Sequence, residues 1–121
     1  MNVQSKIAAR TRRKRRVRKK VHGTAERPRM TVFKSNKHTY VQVVDDDRGA
    51  TLAAASTLTG ALQDAVKDLN KKDAATKVGE AAASACKDAK ITQVVFDRNG
   101  YPYIGRVAAV ADGARAGGIE L

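Results

Sequence analysis

Four aspartates at predicted strand ends are the residues whose type and spacing could support catalysis. Asp45 ends one predicted strand, Asp46 and Asp47 follow it directly, and Asp97 follows another strand. Carboxylates in such places can converge on two divalent metal ions that cleave a phosphodiester, so a metal-dependent nuclease using Asp45 and Asp97 is one hypothesis. We favour hairpin turns instead, because Asp is common in turns and two adjacent acids in a turn cannot both point inward.

The other reactive residue types predict neither a metal site nor a nucleophile. His22 and His38 are the only histidines and lie sixteen positions apart, which makes a zinc site improbable. Cys86 falls near a small-residue stripe of a predicted helix, and this favours a packed core thiol over a nucleophile. The glycine-rich motifs that bind dinucleotides or nucleotide phosphates do not occur.

The first quarter of the chain carries nearly all of the excess positive charge. The formal charge is +12, and residues 1–30 contribute +11 through 12 Lys and Arg and one Glu. This density favours a nucleic acid as partner over a solvated tail, a nuclear signal or an organelle transit peptide. The segment has no apolar face to bury, so repulsion should keep it extended or frayed until phosphates order it, as a helix over about residues 5–20. The cations assigned to nucleic acid are Arg10, Arg12, Arg13, Lys14, Arg15, Arg16, Arg18, Lys19 and Lys20.

Two polar loops with aromatic residues could extend this basic surface. Their side chains can donate to phosphates and sugar hydroxyls, and aromatic rings can stack on exposed bases. For the first loop an ordinary hairpin turn is the alternative. If the bordering strands are neighbours, both loops lie on one rim beside the tail. The loop residues assigned to RNA are Lys34, Ser35, Asn36, Lys37, His38 and Tyr40 in the first, and Arg98, Tyr101, Tyr103 and Arg106 in the second.

The elements that must position these loops follow the order β-β-β-α-α-β-α. This order predicts an α/β fold in which a mixed sheet combines an N-terminal antiparallel three-strand meander with a parallel crossover strand, and helices pack on the sheet. The crossover should be right-handed. Gly23 and Pro28 mark the boundary between a basic RNA-binding tail, residues 1–28, and a single domain, residues 29–121. The predicted strands are 30–34, 39–45, 51–55 and 91–96, and the predicted helices are 61–70, 74–90 with Asp73 as N-cap, and 106–116.

Composition narrows the class of protein further. A single cysteine excludes a disulfide framework. The longest uncharged run, residues 49–63, is shorter than the roughly 20 apolar residues that a membrane span needs. We therefore expect an intracellular protein whose partner is a polyanion.

Five stretches of the chain carry a resemblance to a known family. The most specific is Val94–Val107, with the sequence VVFDRNGYPYIGRV. The others are Glu26–Arg29, Val32–Val43, Thr51–Ser56 and Ala111–Arg115. In these stretches, and over essentially its whole length, the chain resembles the family of the eighteenth protein of the bacterial large ribosomal subunit, a 5S rRNA binder. One departure is Ile104, which stands where the family usually has His, so the resemblance implies no contact from a His at this position.

The resemblance implies a domain related in topology to ribonuclease-H-like folds. It implies a structural protein that binds 5S rRNA and helps attach it to 23S rRNA in the central protuberance, next to another 5S-binding ribosomal protein. RNA contacts would come from the tail, Arg29 and the two loops. The resemblance implies no catalysis, metal, cofactor, small-molecule substrate or membrane. The location would be the cytoplasmic large subunit, with an organelle matrix left open. An architectural DNA-binding protein stays an alternative, because a cationic arm binds either duplex.

Overall fold

A four-stranded mixed sheet in the order β3-β2-β1-β4 organises the fold. The structure, a computed structural model, describes residues 3–18, 21–58 and 60–121. The predicted α/β class and element order are confirmed, with one further helix at the N-terminus. The elements are α1 Val3–Arg18, β1 Arg29–Lys34, β2 Thr39–Asp45, β3 Ala50–Ser56, α2 Gly60–Val66, α3 Lys71–Asp88, β4 Val95–Asp97 and α4 Gly105–Ala116.

The meander follows from residues that alternate between two faces of the sheet. Met30 and Val32 of β1 and Val41 and Val43 of β2 are buried on one face. β1 pairs with β2 in antiparallel register, and β2 pairs with β3 in the same sense, with a shift between Val43 and Val44. The predicted bounds of these three strands agree with the structure to within one residue at each end.

The predicted strand over residues 91–96 is wrong in extent, since β4 covers only Val95–Asp97. Its parallel partner is β1, and that ladder cannot extend backward because Pro28 has no N–H to donate. Pro28 still accepts from the Val95 N–H at 2.9 Å. The residues before β4 instead pair with the end of the chain, where Val94 N donates to Glu120 O at 2.9 Å.

The boundary between α2 and α3 also differs from the prediction. Asn70, not Asp73, is the N-cap of α3, and its side chain accepts from the Asp73 N–H at 2.8 Å. Asn70 has the extended backbone of a cap residue, with φ −67° and ψ 167°. It therefore cannot continue α2, which ends at Val66 instead of the predicted Asn70.

Two glycines allow α3 and α4 to cross at close range above the buried face. A Cβ on Gly79 of α3 would lie 2.2 Å from the Val110 carbonyl oxygen, and one on Gly113 of α4 would lie 2.2 Å from that of Thr76. Cys86 lies in the same core, and burial raises the pKa of its thiol. The prediction of a packed core thiol is confirmed.

Candidate nucleic-acid interface

The sheet face turned away from α3 and α4 carries polar and aromatic side chains. Phe33 of β1 is 46% exposed and lies opposite Tyr40 of β2 in the strand register, with ring centroids 5.7 Å apart. A concave site of about 430 Å³ opens on this face. We call it the sheet-face depression, and its lining residues are Lys14, Thr31, Phe33, Tyr40, Gln42 and Asn99.

The basic segment forms helix α1, which docks beside this depression through its cations. The Arg10 guanidinium lies 4.7 Å from the centre of the Tyr101 ring, and Arg13 Nε donates to the Gly100 carbonyl at 2.9 Å. Lys14 lines the depression itself. These residues share one helix face because they are three and four positions apart. The helix predicted over about residues 5–20 corresponds to α1, and it docks without an apolar stripe because an arginine can cover an aromatic face.

Gly100 permits this close docking of α1. A Cβ at this position would lie 2.6 Å from the Arg10 carbonyl oxygen and 3.0 Å from Lys14 N. Its φ of +78° also lies in the left-handed region, which favours glycine. The turn after β4 therefore serves as the docking point for α1.

The opposite face of α1 presents cations to solvent. Arg12, Arg15 and Arg16 are exposed, and their spacing of three and four places them on one side of the helix. Lys19 and Lys20, also assigned to RNA, lie outside the described residues, and so does the side chain of Arg18. The described helix therefore has one row of cations against the domain and one row available to phosphates.

The two predicted loops meet, because β1 and β4 are neighbours. Arg106 Nη1 donates to the Ser35 carbonyl at 2.8 Å and to the His38 carbonyl at 3.4 Å. Tyr101 Oη donates to the Lys34 carbonyl at 3.4 Å. Burial and the nearby Arg106 lower the pKa of Lys34. Arg106 and Tyr101 thus hold the two loops together.

The loop residues differ in how far they face solvent. Asn36 and Lys37 at the tip of the first loop are exposed, and Tyr103 is 45% exposed. His38 is half-buried, with Nδ1 2.9 Å from Thr57 Oγ1. Tyr101 is only 8% exposed, so the expected stacking of its ring on a base is not available in this arrangement. Arg98 Nη1 donates to the Tyr101 carbonyl at 2.7 Å and closes the second loop.

Arg29 is buried in ion pairs and does not belong to the exposed surface. Its Nη1 donates to Asp97 Oδ2 at 2.7 Å, and its Nε and Nη2 donate to the two oxygens of Asp46 at 2.9 and 3.0 Å. These bonds raise the pKa of Arg29 and lower that of Asp46 to about 2. Arg29 therefore joins β1 to the turn after β2 and to β4.

The aspartates of the nuclease hypothesis have structural partners. Asp45 is buried and accepts from Arg48 Nε at 2.9 Å and from the Asp47 N–H at 3.0 Å. Asp97, also buried, binds Arg29 and accepts from the Asn99 N–H at 2.8 Å. Asp47 thus lies in the predicted hairpin turn, Asp45 at the end of β2 accepts from the backbone of that turn, and Asp97 supports the turn that follows β4.

Sequence reasoning did not assign Thr31, Phe33, Gln42 and Asn99 to the site. Strand alternation held a usable signal, since it already places Tyr40 and Gln42 on the face opposite Val41 and Val43. Applied to β1, the same alternation puts Thr31 and Phe33 on that face. Asn99 had no comparable signal, because its position depends on the turn after β4.

Comparison with known proteins gives consistent matches over nearly the full chain. A sequence model of the family described as ribosomal L18 of archaea, bacteria, mitochondria and chloroplast matches residues 4–121. The large ribosomal subunit protein uL18 of Sorangium cellulosum is 56% identical over 96% of this chain and 98% of its own length. The uL18 proteins of Myxococcus xanthus and Bacteroides thetaiotaomicron are 55% and 57% identical, each over 97% of this chain and 98% of the relative.

These matches define the class of protein as a structural component of the large subunit of the cytoplasmic ribosome, which binds rRNA and is not an enzyme. The chain belongs to the ribosomal L18 family. The nuclease and DNA-binding alternatives are therefore set aside. None of the described helices is long and apolar enough to cross a membrane.

Proposed function

We propose that this chain binds 5S rRNA and helps attach it to 23S rRNA in the central protuberance, next to another 5S-binding ribosomal protein. The observation that carries the proposal is the exposed cationic row of α1, which lies beside an open sheet face with exposed aromatic rings. Cations suit the phosphate backbone, and aromatic and polar groups suit unpaired bases and 2′-hydroxyls. A structured RNA with both helices and loops offers each of these partners.

In this proposal the residues of the surface divide into two roles. Arg12, Arg15 and Arg16 bind phosphates, while Asn36 and Lys37 reach the sugar–phosphate backbone from the tip of the first loop. These cations therefore set the position of the RNA through its phosphates. The second role belongs to the sheet face and to Tyr103, which contact the bases.

Other residues assigned to RNA position the surface instead of contacting the ligand. Arg10 and Arg13 dock α1 on the domain. Tyr101 and Arg106 hold the two loops together, and Arg29 fixes β1 against β4. Substitution of these residues should weaken RNA binding because α1, the two loops or β1 and β4 would no longer be held in place.

Competition for a labelled complex with 5S rRNA tests the proposal. Unlabelled 5S rRNA should displace the label at concentrations about 10³-fold lower than duplex DNA of equal length, which is the usual minimum gap between specific and non-specific binding. In large subunits, the protein should leave together with 5S rRNA when that RNA is stripped. Equal competition by duplex DNA, or retention of the protein on stripped subunits, would contradict the proposal.

A further inference from the structure

The sheet-face depression contains two polar atoms that lack a partner. Within residues 3–18, 21–58 and 60–121, the buried side-chain nitrogen and oxygen atoms without a hydrogen bond are Thr31 Oγ1 and Asn99 Oδ1. Asn99 is only 6% exposed, and both residues line the depression. An unsatisfied buried acceptor is unfavourable because it has lost its hydrogen bonds to water, so a ligand that donates to both atoms would restore those bonds.

The fold fixes the positions of both acceptors. Thr31 lies in the middle of the sheet, between Gln42 of β2 and Asp97 of β4 in the register. Asn99 has a left-handed backbone with φ of 55°, and its N–H donates to Asp97 Oδ1 at 2.8 Å. Asp97 is itself held by Arg29. The buried ion pair of Arg29 with Asp97 therefore fixes the turn that holds Asn99, and strand pairing fixes Thr31.

An aromatic surface adjoins the two acceptors. Phe33 lies two residues from Thr31 on the same face of β1, and its ring contacts that of Tyr40. The volume of about 430 Å³ falls at the lower end of the range for small-ligand sites, about 300–1,000 Å³. A planar ring with hydrogen-bond donors on one edge matches both the aromatic surface and the acceptors.

We propose that the sheet-face depression binds one unstacked nucleobase with an exocyclic amino group, which donates to Asn99 Oδ1 and Thr31 Oγ1 while the ring lies against Phe33. The inference rests on the proposed function, because the base belongs to the bound RNA. The amino group of adenine, cytosine or guanine carries two N–H donors, one for each acceptor. Uracil offers only its N3–H between two carbonyl oxygens, so at least one acceptor would stay unpaired. Lys14 also lines the depression, and its positive charge suits the phosphate that adjoins the base.

Titration of the full chain with RNA hexamers of sequence UUUXUU, labelled at the 5′ end, tests this inference. The variable base X is adenine, cytosine, uracil or unsubstituted purine, which keeps the stacking surface of adenine and lacks its amino group. We expect adenine and cytosine to bind about tenfold more tightly than uracil or purine, equal to about 1.4 kcal/mol. Equal affinity for all four hexamers, or no measurable binding of any, would overturn the inference.

Variants assign the preference to specific atoms. Asn99→Gly and Thr31→Val should bring the four affinities to within about twofold of each other, while Phe33→Ala should weaken all four together. Glycine suits the left-handed backbone at position 99. Thr51→Val, at an exposed threonine of β3, is the matched control and should keep the preference. A preference retained in Asn99→Gly and Thr31→Val would also overturn the inference.

Binding of 5S rRNA by the same preparations separates the two proposals. If the parent protein binds 5S rRNA specifically but discriminates none of the hexamers, the base site is wrong and the proposed function stands. If duplex DNA competes as well as 5S rRNA while the hexamers are discriminated, the proposed function is wrong and the base site stands.

Discussion

At the scale of single residues, Arg29 shows that a cation in a basic protein can have a purely structural role. The family resemblance places Arg29 among the residues expected to contact RNA. In the structure its three nitrogen contacts go to Asp46 and Asp97, and its side chain is 10% exposed. The bidentate contact with Asp46 is the geometry in which an arginine binds a carboxylate most strongly.

This contact makes stability depend on pH in the acid range. The hydrogen bonds from Arg29 lower the pKa of Asp46 from 3.8 to about 2. The folded-state pKa is the lower one, so the ionised carboxylate stabilises the fold above pH 3.8 and loses this contribution as the pH falls toward 2. We expect a loss of about 1 kcal/mol, after allowance for solvent screening. Urea unfolding across this pH range measures it.

Two substitutions test the assignment to Asp46. Asp46→Asn should be less stable than the parent at neutral pH and should lack that part of the acid dependence, since it has no carboxylate to protonate. Asp64→Asn, on the exposed surface of α2, is the control and should retain the acid dependence. An unchanged acid dependence in Asp46→Asn would contradict the assignment.

At the scale of elements, the docking of α1 depends on the turn after β4. We expect Gly100→Ala to displace α1, because the added Cβ would meet the Arg10 carbonyl at 2.6 Å. The strained φ should also cost about 1–2 kcal/mol of stability. RNA affinity should fall by about tenfold, which corresponds to about 1.4 kcal/mol. Hydrogen exchange in α1 and filter binding of 5S rRNA would measure the two effects.

Gly49→Ala provides the matched control for this substitution. Gly49 has a φ of +61°, but a Cβ there would meet nothing within 4 Å. The variant should therefore lose similar stability and keep the parent's RNA affinity. Equal affinity losses in both variants would show that backbone strain, not the position of α1, controls binding.

The crossing of α3 and α4 gives a second prediction at this scale. Gly79→Ala should lower the unfolding free energy by about 1–3 kcal/mol, since its Cβ would overlap the Val110 carbonyl. Gly60→Ala, in α2, meets nothing within 4 Å and should leave stability unchanged or raise it by up to about 1 kcal/mol. Thermal unfolding of the two variants measures the contrast. A fully stable Gly79→Ala would mean that the helices can separate at no cost.

The elements also show what the sequence alone could predict. The alternation in β1 and β2 determines which side chains are buried. The local pattern therefore predicts the three-strand meander and the face that each side chain occupies. The extent of β4 did not, because its preceding residues pair with Glu120 at the far end of the chain. The docking of α1 also depends on a distant residue, Gly100. Contacts between residues far apart in sequence were therefore the ones that local pattern missed.

At the scale of the whole molecule, the chain separates its stabilising face from its binding face. The apolar residues of the sheet pack against α3 and α4, and the opposite face, with α1 beside it, carries the polar and aromatic groups. Residues 31–121 have a net charge of only +1, so the domain folds with little self-repulsion. The excess charge lies where it can attract a polyanion and does not oppose folding.

Because of this separation, we expect RNA affinity to depend more on where the positive charges lie than on the net charge of the protein. The triple variant Arg12→Ala, Arg15→Ala and Arg16→Ala lowers the net charge from +12 to +9. If each arginine binds one phosphate, the slope of log affinity for 5S rRNA against log salt should become less negative by about 2–3. Filter binding between about 50 and 200 mM salt measures this slope.

A second triple variant removes the same charge from the far side of the molecule. Lys72, Lys77 and Lys87 are exposed on α3, which covers the sheet face opposite the depression. Salt screens charges over about 10 Å at 0.1 M, so replacing these lysines by Ala should leave the slope within about 0.5 of the parent value. If both triple variants lose the same slope, the protein attracts RNA through its net charge and α1 is not the site of contact. If only the α1 variant shows the smaller slope, the phosphates of the RNA bind to the exposed face of that helix.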